Sequence, residues 1–216
     1  KGDTHLQTAY DQWQTFLDIA YGKFQGTDDV FLIHTYLSVL TKILAYNLLT
    51  LQETISDAEM KTVLDGSVFR SRHLENFTDN DCYGWAAEAR HFEGLKGAFR
   101  ALAAQLSEAD VRAVDEDILK GVFQELIDSE NYTPDWLCQR LVNHFATTPH
   151  TQWLDPSCGS GSFLRAAVIR MRHRHPELEP YEIAARVTGI DIHPLSVQVA
   201  KTTILLALGR EAVFRT

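Results

Sequence analysis

The glycine-rich stretch at residues 153–164 restricts the possible folds of this chain more than any other feature. It reads WLDPSCGSGSFL, which predicts a short apolar strand, a tight turn and the start of a helix. Such a turn favours glycine because a Cβ would block positive φ and keep a ligand away from the backbone amides. The helix that follows presents unpaired N–H groups and a partial positive charge. The stretch therefore predicts a site for an anionic group of a small molecule.

Two kinds of ligand are compatible with such a turn, a dinucleotide and S-adenosylmethionine. A dinucleotide site favours a third glycine where Leu164 stands. It also favours an acidic residue about 20 residues further on. Asp191, the next plausible acidic residue, lies well beyond that position. The spacing therefore favours S-adenosylmethionine, whose carboxylate would lie near the turn.

A family resemblance makes this preference more specific. Residues 155–163, DPSCGSGSF, resemble the cofactor-binding motif of DNA adenine-N6 methyltransferases, the modification enzymes of restriction and phage-defence systems. Upstream, FQELI at 123–127 and YTP at 132–134 match two elements of that family in order. Downstream, GIDIHP at 189–194 and the helix after it match two more. The resemblance is close over residues 117–208 and loose over 1–110.

The resemblance implies S-adenosyl-L-methionine as the cofactor and assigns residues to it. The Thr-Pro element would cover the methionine end, while Asp155 would fix the loop and the amino group of the cofactor. Asp191, after the second strand, would accept hydrogen bonds from the ribose hydroxyls. The implied cofactor-binding residues are Tyr132, Thr133, Pro134, Asp155, Pro156, Ser157, Gly159, Gly161, Phe163, Asp191 and Ile192.

The catalytic step of this family needs an Asn/Asp-Pro-Pro-Tyr/Phe motif, which binds the amino group of a flipped adenine. The sequence contains no Pro-Pro pair, so no catalytic residue is assigned. We expect the N-terminal, cofactor-binding part of a larger enzyme, inactive alone. Cys158 is interpreted as a small turn residue, because transfer to adenine N6 requires no covalent intermediate. No metal site is expected, since His173 and His175 lack a nearby cysteine or carboxylate at ligand spacing.

Two alternatives to DNA methylation stay open. One is a fragment of a protein-glutamine methyltransferase, which uses a similar chemistry at an amide nitrogen. The other is a non-catalytic helical interaction module on a remnant methyltransferase fold. The Phe163-Leu164 ending and the upstream Thr-Pro element favour DNA over protein as the substrate.

The charge distribution affects the expected partners. The net charge is −9, with 19 Asp+Glu and 11 Lys+Arg in residues 1–120. An acidic surface opposes binding to phosphates. We therefore expect double-stranded DNA to be contacted mostly through parts outside this chain, with specificity or restriction subunits as further possible partners. The arginines of residues 165–174 are interpreted as a solvated helix face, because the helix dipole stabilises cations near the helix C-terminus.

Hydrophobic periodicity predicts a mostly α N-terminal domain over residues 1–110. Its helices are expected at 10–20, 30–51, 57–64 and 85–106. The second follows an N-cap start at Thr27, and the third is opened by a Ser56–Glu59 capping box. Residues 111–216 are expected to form the first part of a doubly wound, Rossmann-like α/β domain that is truncated. That part would begin with an amphipathic helix at 117–127. A helix capped by Thr133, with Pro134 at its first position, would follow.

A cytoplasmic location without membrane contact is expected. The start of the chain lacks a signal-peptide pattern. The apolar run at 30–51 carries His34, Lys42 and Asn47, which argues against a membrane span. The three cysteines are widely spaced and odd in number, so no disulfide framework is implied.

Overall fold

The computed structural model describes residues 3–50, 54–71, 74, 77, 82–108 and 133–209. The chain forms two compact units, unit 1 at Lys1–Val114 and unit 2 at Asp115–Thr216. The predicted domain boundary, the predicted helix at 117–127 and Tyr132 lie outside the described residues.

Unit 1 is helical. Its described α-helices are α1 (Thr4–Tyr21), α2 (Asp28–Leu49), α3 (Asp57–Leu64), α4 (Ser67–Arg70) and α5 (Ala89–Glu108). The Ser56–Glu59 capping box forms in both directions, and the Thr27 hydroxyl accepts from the Val30 N–H at the start of α2. The local start signals of α2 and α3 therefore act as predicted.

Helix α2 forms the centre of unit 1, and every residue from 37 to 49 is buried. It is long and apolar enough to cross a membrane by length and composition alone. Two of its buried polar side chains bond to other parts of unit 1. The Trp13 indole N–H donates to His34 Nδ1 at 3.0 Å, and Lys42 Nζ donates to the Leu64 carbonyl at 2.7 Å. These bonds tie α2 to α1 and to the end of α3.

The predicted helix at 85–106 is wrong at its start. A short 3-10 helix covers Gly84–Ala87, and α5 begins only at Ala89. Glu88 separates the two with an extended ψ of 136°. Its carboxylate bonds to Arg90 at 3.0 Å, so the break carries an ion pair that helical periodicity does not reveal.

Unit 2 contains two short parallel strands connected by helices. Its described elements are α6 (Asp135–His144), β1 (Trp153–Asp155), α7 (Ser162–Arg174), α8 (Pro180–Ala184), β2 (Val187–Gly189) and α9 (Pro194–Leu208). Trp153 pairs with Val187 and Asp155 with Gly189. Both Trp153 and Val187 pack against buried residues of α7. These two parallel strands and their helices are the part of the expected α/β domain that the structure describes.

The predicted cap of α6 is wrong in detail. Pro134 is the N-cap residue, with φ −61° and ψ 142°, and α6 begins at Asp135. No side chain caps this helix start. Because the extended ψ of Pro134 delays the first helical residue by one position, the Thr133 hydroxyl is not at the N-cap.

Candidate functional site

The site is built where β1 and β2 end, around the glycine loop (residues 156–161). The Ile190 N–H donates to the Asp155 carbonyl, and the Cys158 N–H donates to the Ile190 carbonyl, both at 2.9 Å. These bonds extend the parallel pairing beyond the strands. They bring the loop that follows β1 against the turn that follows β2. Asp155, the last residue of β1, and Asp191, two residues after β2, therefore flank the same loop.

Both carboxylates hold the backbone of this site. Asp155 Oδ1 accepts from the Ser157 N–H at 3.1 Å. Asp191 Oδ2 accepts from the Gly159 N–H at 2.9 Å, and its Oδ1 accepts from the His193 N–H at 2.9 Å. The structure thus brings together the predicted site residues on both sides of the loop.

The amide groups of the loop point mainly to the protein. Those that donate to acceptors in unit 2 belong to Ser157, Cys158, Gly159 and Gly161. A phosphate site at a helix N-terminus instead directs such groups at the ligand. Two flanking carboxylates also repel an anion and attract a cation. The expectation of an anionic group in this turn is therefore not supported by the contacts of the loop.

The two glycines of the loop are required for different reasons. Gly159 has φ +50° and nothing within 4 Å of an added Cβ, so only its backbone conformation favours glycine. Gly161 has φ +88°, and a Cβ there would lie 3.0 Å from the Ala200 Cα on α9. Both conformation and space therefore demand glycine at 161. The start of α7 lies directly against α9 at this point.

Cys158 reports the electrostatics of the loop. Burial, and then the nearby charges of Asp191 and Asp155, raise the pKa of its thiol to about 12. A thiol with this pKa is protonated at neutral pH and is a poor nucleophile. This agrees with the structural interpretation of Cys158.

An apolar groove of about 330 Å³ runs beside β1 and includes three predicted site residues, Asp155, Pro156 and Phe163. Sequence reasoning missed the groove residues contributed by α6 and by Phe145 directly after it. These are Leu141, Val142 and Phe145. Leu141 and Phe145 are apolar but exposed. The sequence would have indicated them as groove residues only if it also revealed which face of α6 packs against the rest of unit 2.

The Thr133–Pro134 element is linked to the helix of the loop through the next residue. Asp135 Oδ2 lies 3.9 Å from Arg165 Nη1, and both side chains are largely buried. Ile192, another predicted site residue, is 61% exposed beside Asp191. The predicted residues thus divide between the groove side of the loop and the Asp191 side.

His193 is a residue of this site that sequence reasoning missed. It is buried, and its Nδ1 accepts from the Leu195 N–H at 3.1 Å as the N-cap of α9. Burial lowers the pKa of His193 to about 4. The imidazole is therefore neutral at physiological pH, as an Nδ1 acceptor must be.

Two arginines of α7 bind backbone carbonyls. Arg170 Nη2 donates to the Phe145 carbonyl at 3.0 Å, and Arg172 donates to the Ala207 carbonyl at the end of α9. These two guanidinium groups connect α7 to the ends of neighbouring helices. They therefore have a structural role, whereas the sequence predicted only a solvated helix face. Among the residues that the structure describes, no group of three or more His, Cys, Asp or Glu side chains could hold a metal ion.

Comparisons with protein-family models, with curated proteins and with solved structures found no match to this chain.

Proposed function

We propose that unit 2 binds S-adenosyl-L-methionine and is the cofactor-binding part of an S-adenosylmethionine-dependent DNA adenine-N6 methyltransferase. The observation that carries the cofactor proposal is the position of the glycine loop between the carboxylates of Asp155 and Asp191. Each carboxylate accepts a backbone N–H of the loop. S-adenosylmethionine carries a sulfonium and an ammonium group in addition to its carboxylate, and these two cations suit the flanking carboxylates, whereas a pyrophosphate has no cation to offer them.

Asp191 has capacity left for a ribose. A carboxylate has about four lone-pair sites on its two oxygens. Each Asp191 oxygen accepts one backbone N–H, so each retains a site for one hydroxyl donor. The exposed side chain of Ile192 next to it offers apolar surface to an adenine ring. On the other side, Asp155 has one oxygen bonded to the Ser157 N–H and suits an ammonium donor.

The DNA part of the proposal rests on the resemblance of residues 117–208 to adenine-N6 methyltransferases. When bound, S-adenosylmethionine supplies an activated methyl group for transfer to the adenine amino nitrogen. We assign the groups that bind the flipped adenine to residues outside this sequence, since it has no Pro-Pro pair. Contact with double-stranded DNA is assigned outside it as well, because the net charge of −9 opposes phosphate binding.

Calorimetric titration of the 216-residue chain tests the cofactor. We expect binding of S-adenosylmethionine and none of NAD at the same concentration. The variant Gly161→Ala should weaken binding, because it strains the loop. Glu177→Gln, at an exposed carboxylate that contacts His175, is the matched control and should bind as the parent does. Tighter binding of NAD, or no binding of S-adenosylmethionine, would contradict the proposal.

A methyl-transfer assay tests the substrate. With labelled cofactor and double-stranded DNA, we expect no transfer by this chain alone. Transfer to adenine is expected once the Pro-Pro-containing part of the enzyme is supplied. Label in protein glutamine instead of DNA would contradict the DNA assignment.

A further inference from the structure

The contacts of Asp191 indicate a second role for this carboxylate, in addition to ligand binding. Its two oxygens accept the N–H groups of Gly159 in the loop and of His193 in the turn after β2. Those two residues lie far apart in the sequence, so the carboxylate joins two segments that chain connectivity leaves free. A bond from an N–H to a carboxylate is stronger than one between neutral groups.

The turn that carries Asp191 is itself fixed. His193 caps α9 through its neutral Nδ1, and its own N–H is bonded to Asp191. Ile190, on the other side, exchanges backbone bonds with Asp155 and Cys158. The carboxylate is therefore presented from a rigid support, and rigid support is what a positioning residue needs.

The N–H of Gly159 is held by Asp191, its carbonyl has a long contact of 3.9 Å with the Cys158 thiol, and its neighbours Cys158 and Gly161 are bonded through their own N–H groups. Gly159 has φ +50°, a region that glycine enters readily but does not prefer over others. An unsupported glycine at this position would sample several backbone conformations. The Asp191 bond selects one of them, and the close approach of Gly161 to Ala200 fixes the loop two residues later.

We propose that Asp191 is a positioning residue that holds the glycine loop in its binding conformation before any ligand arrives. A ligand with a vicinal diol then uses the remaining lone pairs of the same carboxylate without releasing the loop. The second statement rests on the proposed function, whereas the first does not depend on the ligand.

Amide hydrogen exchange of the ligand-free chain tests the positioning role. We compare the parent with Asp191→Ala, Asp191→Asn and the control Glu177→Gln. In Asp191→Ala, exchange of the loop peptide at 156–163 should be about tenfold faster, as expected for loss of a charge-assisted bond. In Asp191→Asn only one side-chain oxygen remains, so only one of the two N–H groups, of Gly159 or of His193, keeps its acceptor. The exchange rate of this variant should therefore be intermediate. Glu177→Gln should leave the rate unchanged.

The outcomes separate this proposal from the cofactor assignment. A loop exchange rate in Asp191→Ala equal to that of the parent would overturn the positioning role, whatever the chain binds. Faster loop exchange in Asp191→Ala, together with a parent that fails to bind S-adenosylmethionine, would support the positioning role and overturn the cofactor assignment. Added S-adenosylmethionine should leave the Gly159 amide of the parent protected. Faster exchange of that amide with ligand would show that binding releases the loop and would overturn the second statement.

The parent provides a test that needs no variant. Residue-resolved exchange by NMR should show the ligand-free Gly159 amide protected relative to an unfolded chain. Exchange at the unfolded rate would overturn the positioning role even if the Asp191 variants do not fold.

Discussion

Unit 1 and unit 2 use their polar side chains differently. In unit 1, buried polar groups such as His34 and Lys42 bond across helices and fix how α2 packs. In unit 2, Asp155 and Asp191 bond to the backbone of a loop at the ends of two strands and keep acceptor capacity. The comparison shows two uses of hydrogen-bonded polar side chains. Those whose bonding capacity is used up fix the packing of a core, whereas those that keep free lone pairs can also bind a ligand.

The largest effect is expected in the core of unit 1. Trp13 is 1% exposed and packs against Tyr10, Phe24 and Phe31. Trp13→Ala should destabilise the chain by about 3–5 kcal/mol, because it leaves a cavity and removes the bond to His34. Trp136 is 66% exposed on α6, so Trp136→Ala is the matched control and should change the free energy of unfolding by no more than about 0.5 kcal/mol. Urea unfolding measures both, and similar losses would break the comparison.

The next effect concerns the acid sensitivity of unit 2. Folding lowers the pKa of His193 from its ordinary value of 6.5 to about 4, so the unfolded chain takes up the proton first as the pH falls. This contribution to stability is complete above pH 6.5 and is lost between 6.5 and about 4. The loss amounts to about 3 kcal/mol.

Thermal unfolding at pH 7.5, 5.5 and 4.5 measures this dependence. His193→Asn is the control, since its side-chain oxygen can still cap α9 but does not titrate. The difference in melting temperature between the parent and this variant should change in favour of the variant as the pH falls. A difference independent of pH would contradict the assignment.

Glycine substitutions compare the two units directly. Gly161→Ala should cost about 1–3 kcal/mol, because it combines positive φ with a close approach to Ala200. Gly97 lies within α5, with nothing within 4 Å of an added Cβ. Gly97→Ala should therefore stabilise the chain by about 0.5–1 kcal/mol. Opposite signs in denaturant unfolding sharpen the comparison, whereas equal signs would refute it.

The smallest effect is expected for an exposed ion pair of unit 1. Arg100 forms two bonds with Asp57, at 2.8 and 2.6 Å, near the start of α3. Because both groups are solvated, Arg100→Ala should cost less than about 1 kcal/mol, and the cost should decrease in high salt. Melting curves at low and high ionic strength measure it. A large, salt-independent loss would show that this surface contributes as the core does.

Local signals in the sequence predicted much of the secondary structure. The Ser56 capping box and the Thr27 cap specify helix starts through residues three positions apart, and both form. The break at Glu88 and the N-cap role of Pro134 were not predicted, because backbone torsions outside regular periodicity decide them. The doubly wound fold stays a prediction beyond the two parallel strands that are described.

At the site, the sequence indicated which residues meet but not how they bond. The motif placed Asp155, Gly159 and Asp191 together. It did not reveal that Asp191 accepts the Gly159 N–H, since that bond depends on the register between β1 and β2. It also did not reveal the cap formed by His193, because a histidine before a proline has no distinctive helix-start pattern.

Chemical labelling of the buried Cys158 thiol can report how often the glycine loop opens. Its sulfur lies beneath Gly189, where a Cβ would come within 3.0 Å of it. Because the thiol is covered and its pKa is raised to about 12, an alkylating reagent should modify it only when the loop lifts away from β2. The rate of alkylation at this native cysteine would then count loop openings without an added probe.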